Sequence, residues 1–247
     1  MEIQSTLASQ NIEFIWIKFL IFYELINSFL MKYSRENPSG KYLQLIRFYN
    51  EMHEKGYLKT TGKIGNFDGQ MVPYFAKIIK KIIIQYKCKS LLDYGCGKAK
   101  YYFNNFKVKN EKFPNLKDYW KVKTKLYDPG LKQFNKFTSK KFDISICIDV
   151  LEHCPLEDID WILEDFISKS RKVVFVNIAC SYAIALLPNG QNAHVTVRPP
   201  KWWERKLFEL SNKYKDLSII GSCSYLDKQK QTRFYGININ DNLTNYL

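Results

Sequence analysis

Apolar positions along this chain change spacing near residue 90. Before it, they recur as on helices. Ile12, Ile15, Trp16, Phe19, Phe22, Tyr23, Ile26 and Leu30 share one broad face of a helical wheel, which predicts an amphipathic helix over residues 11–33. A second helix is predicted over 41–56 and a third over 71–86, where Ile78, Ile79, Ile82 and Ile83 fall at helical spacing. Pro38-Ser39-Gly40 separates the first two, and Gly62, Gly65 and Gly69 with Asn66 and Asp68 mark a loop before the third. After residue 90 the apolar runs are short. Strands are expected near 90–94, 123–127, 143–149 and 172–178, with helices near 98–106, 157–170 and 201–214. The runs Asp143-Ile144-Ser145-Ile146-Cys147-Ile148 and Lys172-Val173-Val174-Phe175-Val176-Asn177-Ile178 read as interior strands. Two late strands, near 217–224 and 231–239, are joined at hairpin spacing, so one of them should run antiparallel. The alternation implies an α/β fold with a doubly wound, mostly parallel sheet. The chain divides into an N-terminal helical cap, residues 1–86, and a ligand-binding domain, residues 87–247.

The chemistry concentrates where the strands stop. Leu91-Leu92-Asp93-Tyr94-Gly95-Cys96-Gly97-Lys98-Ala99 ends an apolar run in an acid and then in glycines two apart. Glycine is needed where φ is positive or where a ligand must touch the backbone. A dinucleotide site would want G-x-G-x-x-G and an acid about 20 residues on. Here Lys100 stands at the third glycine position, and the next strand-end acid, Asp128, lies well beyond that distance. The second strand ends in Asp128-Pro129-Gly130, and the third element reads Asp149-Val150-Leu151-Glu152-His153.

Together these three strand ends resemble the class I S-adenosylmethionine-dependent methyltransferases, over roughly residues 85 to 240. The resemblance implies a Rossmann-like fold and S-adenosylmethionine as cofactor. It implies that Gly95 and Gly97, with Tyr94 and Cys96 in the variable positions, make room for the methionine moiety, and that Asp93 orients its ammonium. Asp128, followed by Pro129, would accept from both ribose hydroxyls, a task one carboxylate can perform. The backbone around Asp149 and Val150 would face the sulfur. The sequence departs from the pattern in two places. Residues 103–123 form a lysine-rich aromatic insertion. Between Asp128 and Phe142 there is little room for a helix and strand, so no adenine contact follows, beyond the suggestion of Phe134 or Phe137.

Methyl transfer from a sulfonium depends mainly on positioning, and some acceptors also need a base. Three histidines are present, His53, His153 and His194. His194 follows the predicted strand near 172–178 and His153 the one near 143–149, so both are candidate catalytic residues on the acceptor side. His53, on an early helix, reads as structural unless that helix covers the site.

The net charge of +14 is uneven. Residues 77–141 hold 18 lysines against four acids, while residues 142–165 carry eight acids and no lysine or arginine. A basic pole and an acidic pole are expected. The basic pole admits a nucleic-acid-directed methyltransferase as an alternative. Lysine without arginine and the absence of an Asn-Pro-Pro-Tyr motif favour instead a small or medium-sized acceptor, methylated on oxygen or nitrogen. A non-catalytic subunit with the same fold is a further alternative. Cys88, Cys96, Cys147, Cys154, Cys180 and Cys223 form no C-x-x-C pair or zinc spacing, so buried reduced thiols and no metal are expected. Glu13, Lys18 and Glu24 interrupt the apolar stretch at 12–31, and no secretory signal is apparent. A cytoplasmic protein without a membrane span is the expectation, with the first helix as the candidate surface for a homodimer.

Overall fold

Runs with apolar residues at every position form strands when helices cover both faces of the sheet. This is how the second half of the chain is built. The computed structural model describes residues 33–67, 69, 71–108 and 110–240. The helix expected over 11–33, and any dimer contact through it, lie outside the described residues except at residue 33.

Helix α1 (Gly40–Lys55) starts at Ser39, whose hydroxyl accepts the Tyr42 N–H at 3.0 Å, and stops at Gly56 with φ +84°. Strands β1 (Tyr57–Lys59) and β2 (Ile64–Gly65) follow. The expected third helix is split at Phe75 into α2 (Met71–Tyr74) and α3 (Ala76–Gln85). Next come β3 (Ser90–Tyr94), a 3-10 turn at Lys100–Tyr102, β4 (Phe106–Val108), β5 (Glu111–Phe113), α4 (Leu116–Trp120) and β6 (Lys123–Tyr127). After β7 (Phe142–Ile148) lie 3-10 turns at Leu151–His153 and Leu156–Asp158. The chain continues through α5 (Ile159–Ile167), β8 (Ser170–Ala179), β9 (Ala185–Leu186), α6 (Pro200–Ser211), β10 (Ser218–Leu226) and β11 (Thr232–Ile239).

Six strands form one sheet in the order β11-β10-β8-β7-β3-β6. All neighbours are parallel except β11, which pairs antiparallel with β10, as the late hairpin required. The fold is therefore mixed α/β with a mostly parallel sheet, compatible with a Rossmann-like architecture. Successive residues face opposite layers. Leu92, Val174, Val176 and Ile219 pack with α5 and α6, while Leu91, Val173, Phe175 and Ile220 pack with α3 and Trp120. A small sheet, β2-β1-β9, lies over a third cluster that includes Leu45, Met52, Leu187 and Ala193.

Two expectations are corrected. The helix near 98–106 is only the 3-10 turn at Lys100–Tyr102, because Ala99 is left-handed (φ +51°) and the chain enters β4 four residues after Tyr102. The insertion at 103–123 is a hairpin plus α4. The expected acidic pole is smaller than the count suggests, because three of the eight acids lie in the interior. Glu152 and Asp158 are fully buried and Asp143 nearly so. Asp143 accepts the N–H groups of Lys89 and Ser90 and pairs with Arg171. Asp158 accepts the Ser39 N–H at 3.0 Å, the Ser39 hydroxyl and the Trp161 indole N–H at 2.7 Å, which ties the start of α1 to α5. Among the described residues, no helix is long and apolar enough to cross a membrane.

Candidate ligand-binding site at the carboxyl ends of the strands

The strand order reverses between β3 and β7, since the chain runs from β3 outward to β6 and returns to β7 on the other side. Ligands of open α/β sheets bind beyond the carboxyl ends of the strands at such a point. A cavity of about 770 Å³ opens there. It is lined by Tyr94, Gly95, Cys96 and Gly97 after β3, by Asp128 and Pro129 after β6, and by Asp149, Val150, His153 and His194.

The glycine loop is fixed by its backbone. The N–H groups of Gly95 and Cys96 both donate to the Tyr127 carbonyl, at 2.8 and 3.0 Å. Gly95 has φ +84°, and a Cβ there would run into both methyl groups of Val150. The glycine thus answers two needs at once. Gly95→Ala is expected to lower unfolding stability by about 2–4 kcal/mol, from left-handed strain and overpacking together. A chemical denaturation curve measures this.

Asp128 holds the same loop. Its carboxylate accepts the Gly97 N–H and the Gly130 N–H, each at 2.9 Å. Each oxygen keeps acceptor capacity, since a carboxylate offers about four lone-pair sites. Burial pushes its pKa upward against these two bonds.

Asp93 is placed differently from the other sequence candidates. It is 1% exposed and does not line the cavity. Its carboxylate accepts the Tyr102 hydroxyl at 2.7 Å. Burial pushes its pKa up to about 7, against the lowering effect of that bond. A folded-state value above the ordinary carboxylate range means the folded protein binds a proton that the unfolded chain does not. Stability therefore falls as pH rises between about 4 and 7, at up to ~1.4 kcal/mol per pH unit. Asp93→Asn is expected to remove this component. Denaturation of both proteins at pH 5 and pH 8 should show wild type losing stability relative to the variant at the higher pH.

Asp149 follows β7 with φ +53°, unusual for a non-glycine residue. Its N–H donates to the Asn177 carbonyl at 2.9 Å and its carboxylate accepts the Asn177 amide. Asn177 in turn accepts the Ser222 hydroxyl at 2.6 Å, so three adjacent strands hold this bend. Burial raises the Asp149 pKa to about 6.

The two histidines proposed as separate catalytic candidates are neighbours, with ring centroids 4.7 Å apart and rings nearly perpendicular. The loop carrying His194 is stitched to the His153 turn. Thr196 N–H donates to the Glu152 carbonyl at 3.0 Å, and the Thr196 hydroxyl donates to the Cys154 carbonyl at 2.6 Å. Burial, reinforced by His194, depresses the His153 pKa to about 3. Burial also lowers that of His194.

Several cavity residues carried no sequence signal, or, like His53, one conditional on its helix covering the site. Tyr42, Leu45, Ile46, Tyr49 and His53, all on α1, line it, and Phe67 joins them from the loop after β2. Tyr49 donates its hydroxyl to the Ala193 carbonyl at 2.8 Å, and Asn50 donates to the Gly130 carbonyl at 2.8 Å. His53 belongs to this wall rather than to a remote helix core, and burial lowers its pKa to about 4. A helical stripe of aromatic residues reads the same whether it covers a core or a cavity. Phe134 and Phe137, suggested for the adenine ring, do not line the cavity. Phe137 packs under the Arg35 guanidinium, 3.5 Å from its ring centre.

In comparisons with known proteins, the chain matches no protein-family model, no curated protein and no solved structure.

Proposed function

We propose that the chain is an S-adenosylmethionine-dependent methyltransferase of the class I type, acting on a small or medium-sized acceptor. The observation that carries this reading is the convergence of three strand ends on one cavity. The Gly95-Cys96-Gly97 loop, Asp128-Pro129 and Asp149-Val150 come from β3, β6 and β7 and line the same space. In this reading the adenosine ribose sits against Asp128. The methionine end passes the glycine loop, and the sulfur faces Asp149 and Val150. Asp93 acts on the ammonium end from behind the loop, through Tyr102, whose hydroxyl it holds and which lines the cavity. Helix α1 serves as the described part of a helical cap. His153 and His194 face the acceptor, with His194 on the loop after β8.

A cavity of this size holds a cofactor and a modest acceptor together, since ligand pockets span ~300–1,000 Å³. Lys59, Lys98 and Lys100 also line it, which favours an acceptor carrying an anionic group. The same lysines keep a nucleic-acid acceptor as the second reading. Thermal unfolding tests the cofactor assignment. S-adenosylmethionine or S-adenosylhomocysteine at 100 times Kd should add about 2.7 kcal/mol to stability and raise Tm by several degrees. Nicotinamide and flavin dinucleotides should leave Tm unchanged. A shift with a dinucleotide alone would replace the proposal.

A further inference from the structure

Two histidines of the cavity wall meet a buried carboxylate behind it. One ligand atom each from Glu152, His153 and His194 lies within 4.8 Å of the others. Glu152 is fully buried. One of its carboxylate oxygens accepts the Ala179 N–H at 2.9 Å, and the other, Oε2, is buried without a hydrogen-bond partner. A buried carboxylate oxygen left unpaired is costly and calls for a partner of its own.

Both imidazoles are already oriented. His153 Nδ1 lies 3.0 Å from the Ala193 carbonyl, and His194 Nδ1 lies 2.5 Å from the Ser181 carbonyl. A carbonyl oxygen can only accept, so in each ring Nδ1 carries the proton and Nε2 keeps its lone pair. Metal-bound histidines are characteristically held this way, one nitrogen donating to a backbone carbonyl and the other ligating. The Tyr49 hydroxyl, 2.8 Å from His153 Nδ1, adds a second anchor to the same edge of that ring.

We propose that Glu152, His153 and His194 form a site for one divalent first-row transition cation. Two imidazole nitrogens and one carboxylate oxygen suit Zn²⁺, Mn²⁺, Fe²⁺ or Co²⁺. Ca²⁺ and Mg²⁺ prefer all-oxygen sets. The ion gives Oε2 its missing partner. Three protein ligands leave coordination positions open, as in catalytic rather than structural sites. Both histidines line the cavity, so those positions face whatever occupies it. No spacing pattern announces this set, because His194 lies 41 residues beyond His153 and the usual spacing rules concern nearby ligands.

The test is metal titration of the whole chain after dialysis against a chelator, without S-adenosylmethionine, so that it stands or falls separately from the cofactor reading. Co²⁺ binding is followed by visible absorption and Zn²⁺ binding by calorimetry. One equivalent should bind. Glu152→Gln keeps the acceptor for the Ala179 N–H and should fold. His194→Ala removes a loop ligand by a different route. Each should weaken Zn²⁺ binding by more than the ~10–100-fold typical of lost supporting contacts. His53→Ala, in the same cavity but outside the triad, should leave it unchanged. Absence of stoichiometric binding, or equal binding by wild type and both ligand variants, would overturn the proposal.

Discussion

Asp158→Ala is expected to lower unfolding free energy by roughly 3–5 kcal/mol, because it strips several buried donors of one shared acceptor. The carboxylate takes three donors, the Ser39 N–H, the Ser39 hydroxyl and the Trp161 indole N–H, at a site with no solvent exposure. Removing it leaves buried donors unpaired, at ~1–3 kcal/mol each. The Ser39 hydroxyl also caps α1 through the Tyr42 N–H, so the damage reaches the helix that walls the cavity. Urea denaturation measures the loss. A change below about 1 kcal/mol would mean that α1 is not anchored as described.

Asp128→Ala is expected to reduce S-adenosylmethionine affinity by ~100-fold or more. Two ribose hydroxyls donating to a charged acceptor are worth ~1.5–3 kcal/mol each before water compensates. The same substitution frees the Gly97 and Gly130 N–H groups, so the glycine loop loses its tether as well. Asp128→Asn keeps one acceptor oxygen and should fall between the two. Equilibrium dialysis with labelled cofactor ranks the three proteins. Equal affinity across them would remove Asp128 from the site.

Much of the sheet, and which strand ends line the cavity, was legible in the sequence for a specific reason. Val173, Val174, Phe175 and Val176 are all apolar because both sheet faces are covered, and such a run has few other ways to fold. The strand-end residues Gly95, Asp128 and Asp149 were legible because a tight turn and a close approach restrict residue type. Charge counting overstated the acidic surface of residues 142–165 because it cannot distinguish a solvated acid from one that, like Asp158, organises the interior. The helix near 98–106 failed because propensity does not reveal the left-handed turn at Ala99. The aromatic wall of Tyr49, His53 and Phe67, and the meeting of His153 with His194, depend on contacts between distant segments. Local pattern carries no record of those.

Titration calorimetry of the folded chain with S-adenosylmethionine and S-adenosylhomocysteine tests the central claim most directly. Both should bind at one site per chain, and Gly95→Val, which fills the turn against Val150, should abolish the heat. A well-folded sample that gives no heat with either compound would contradict the account.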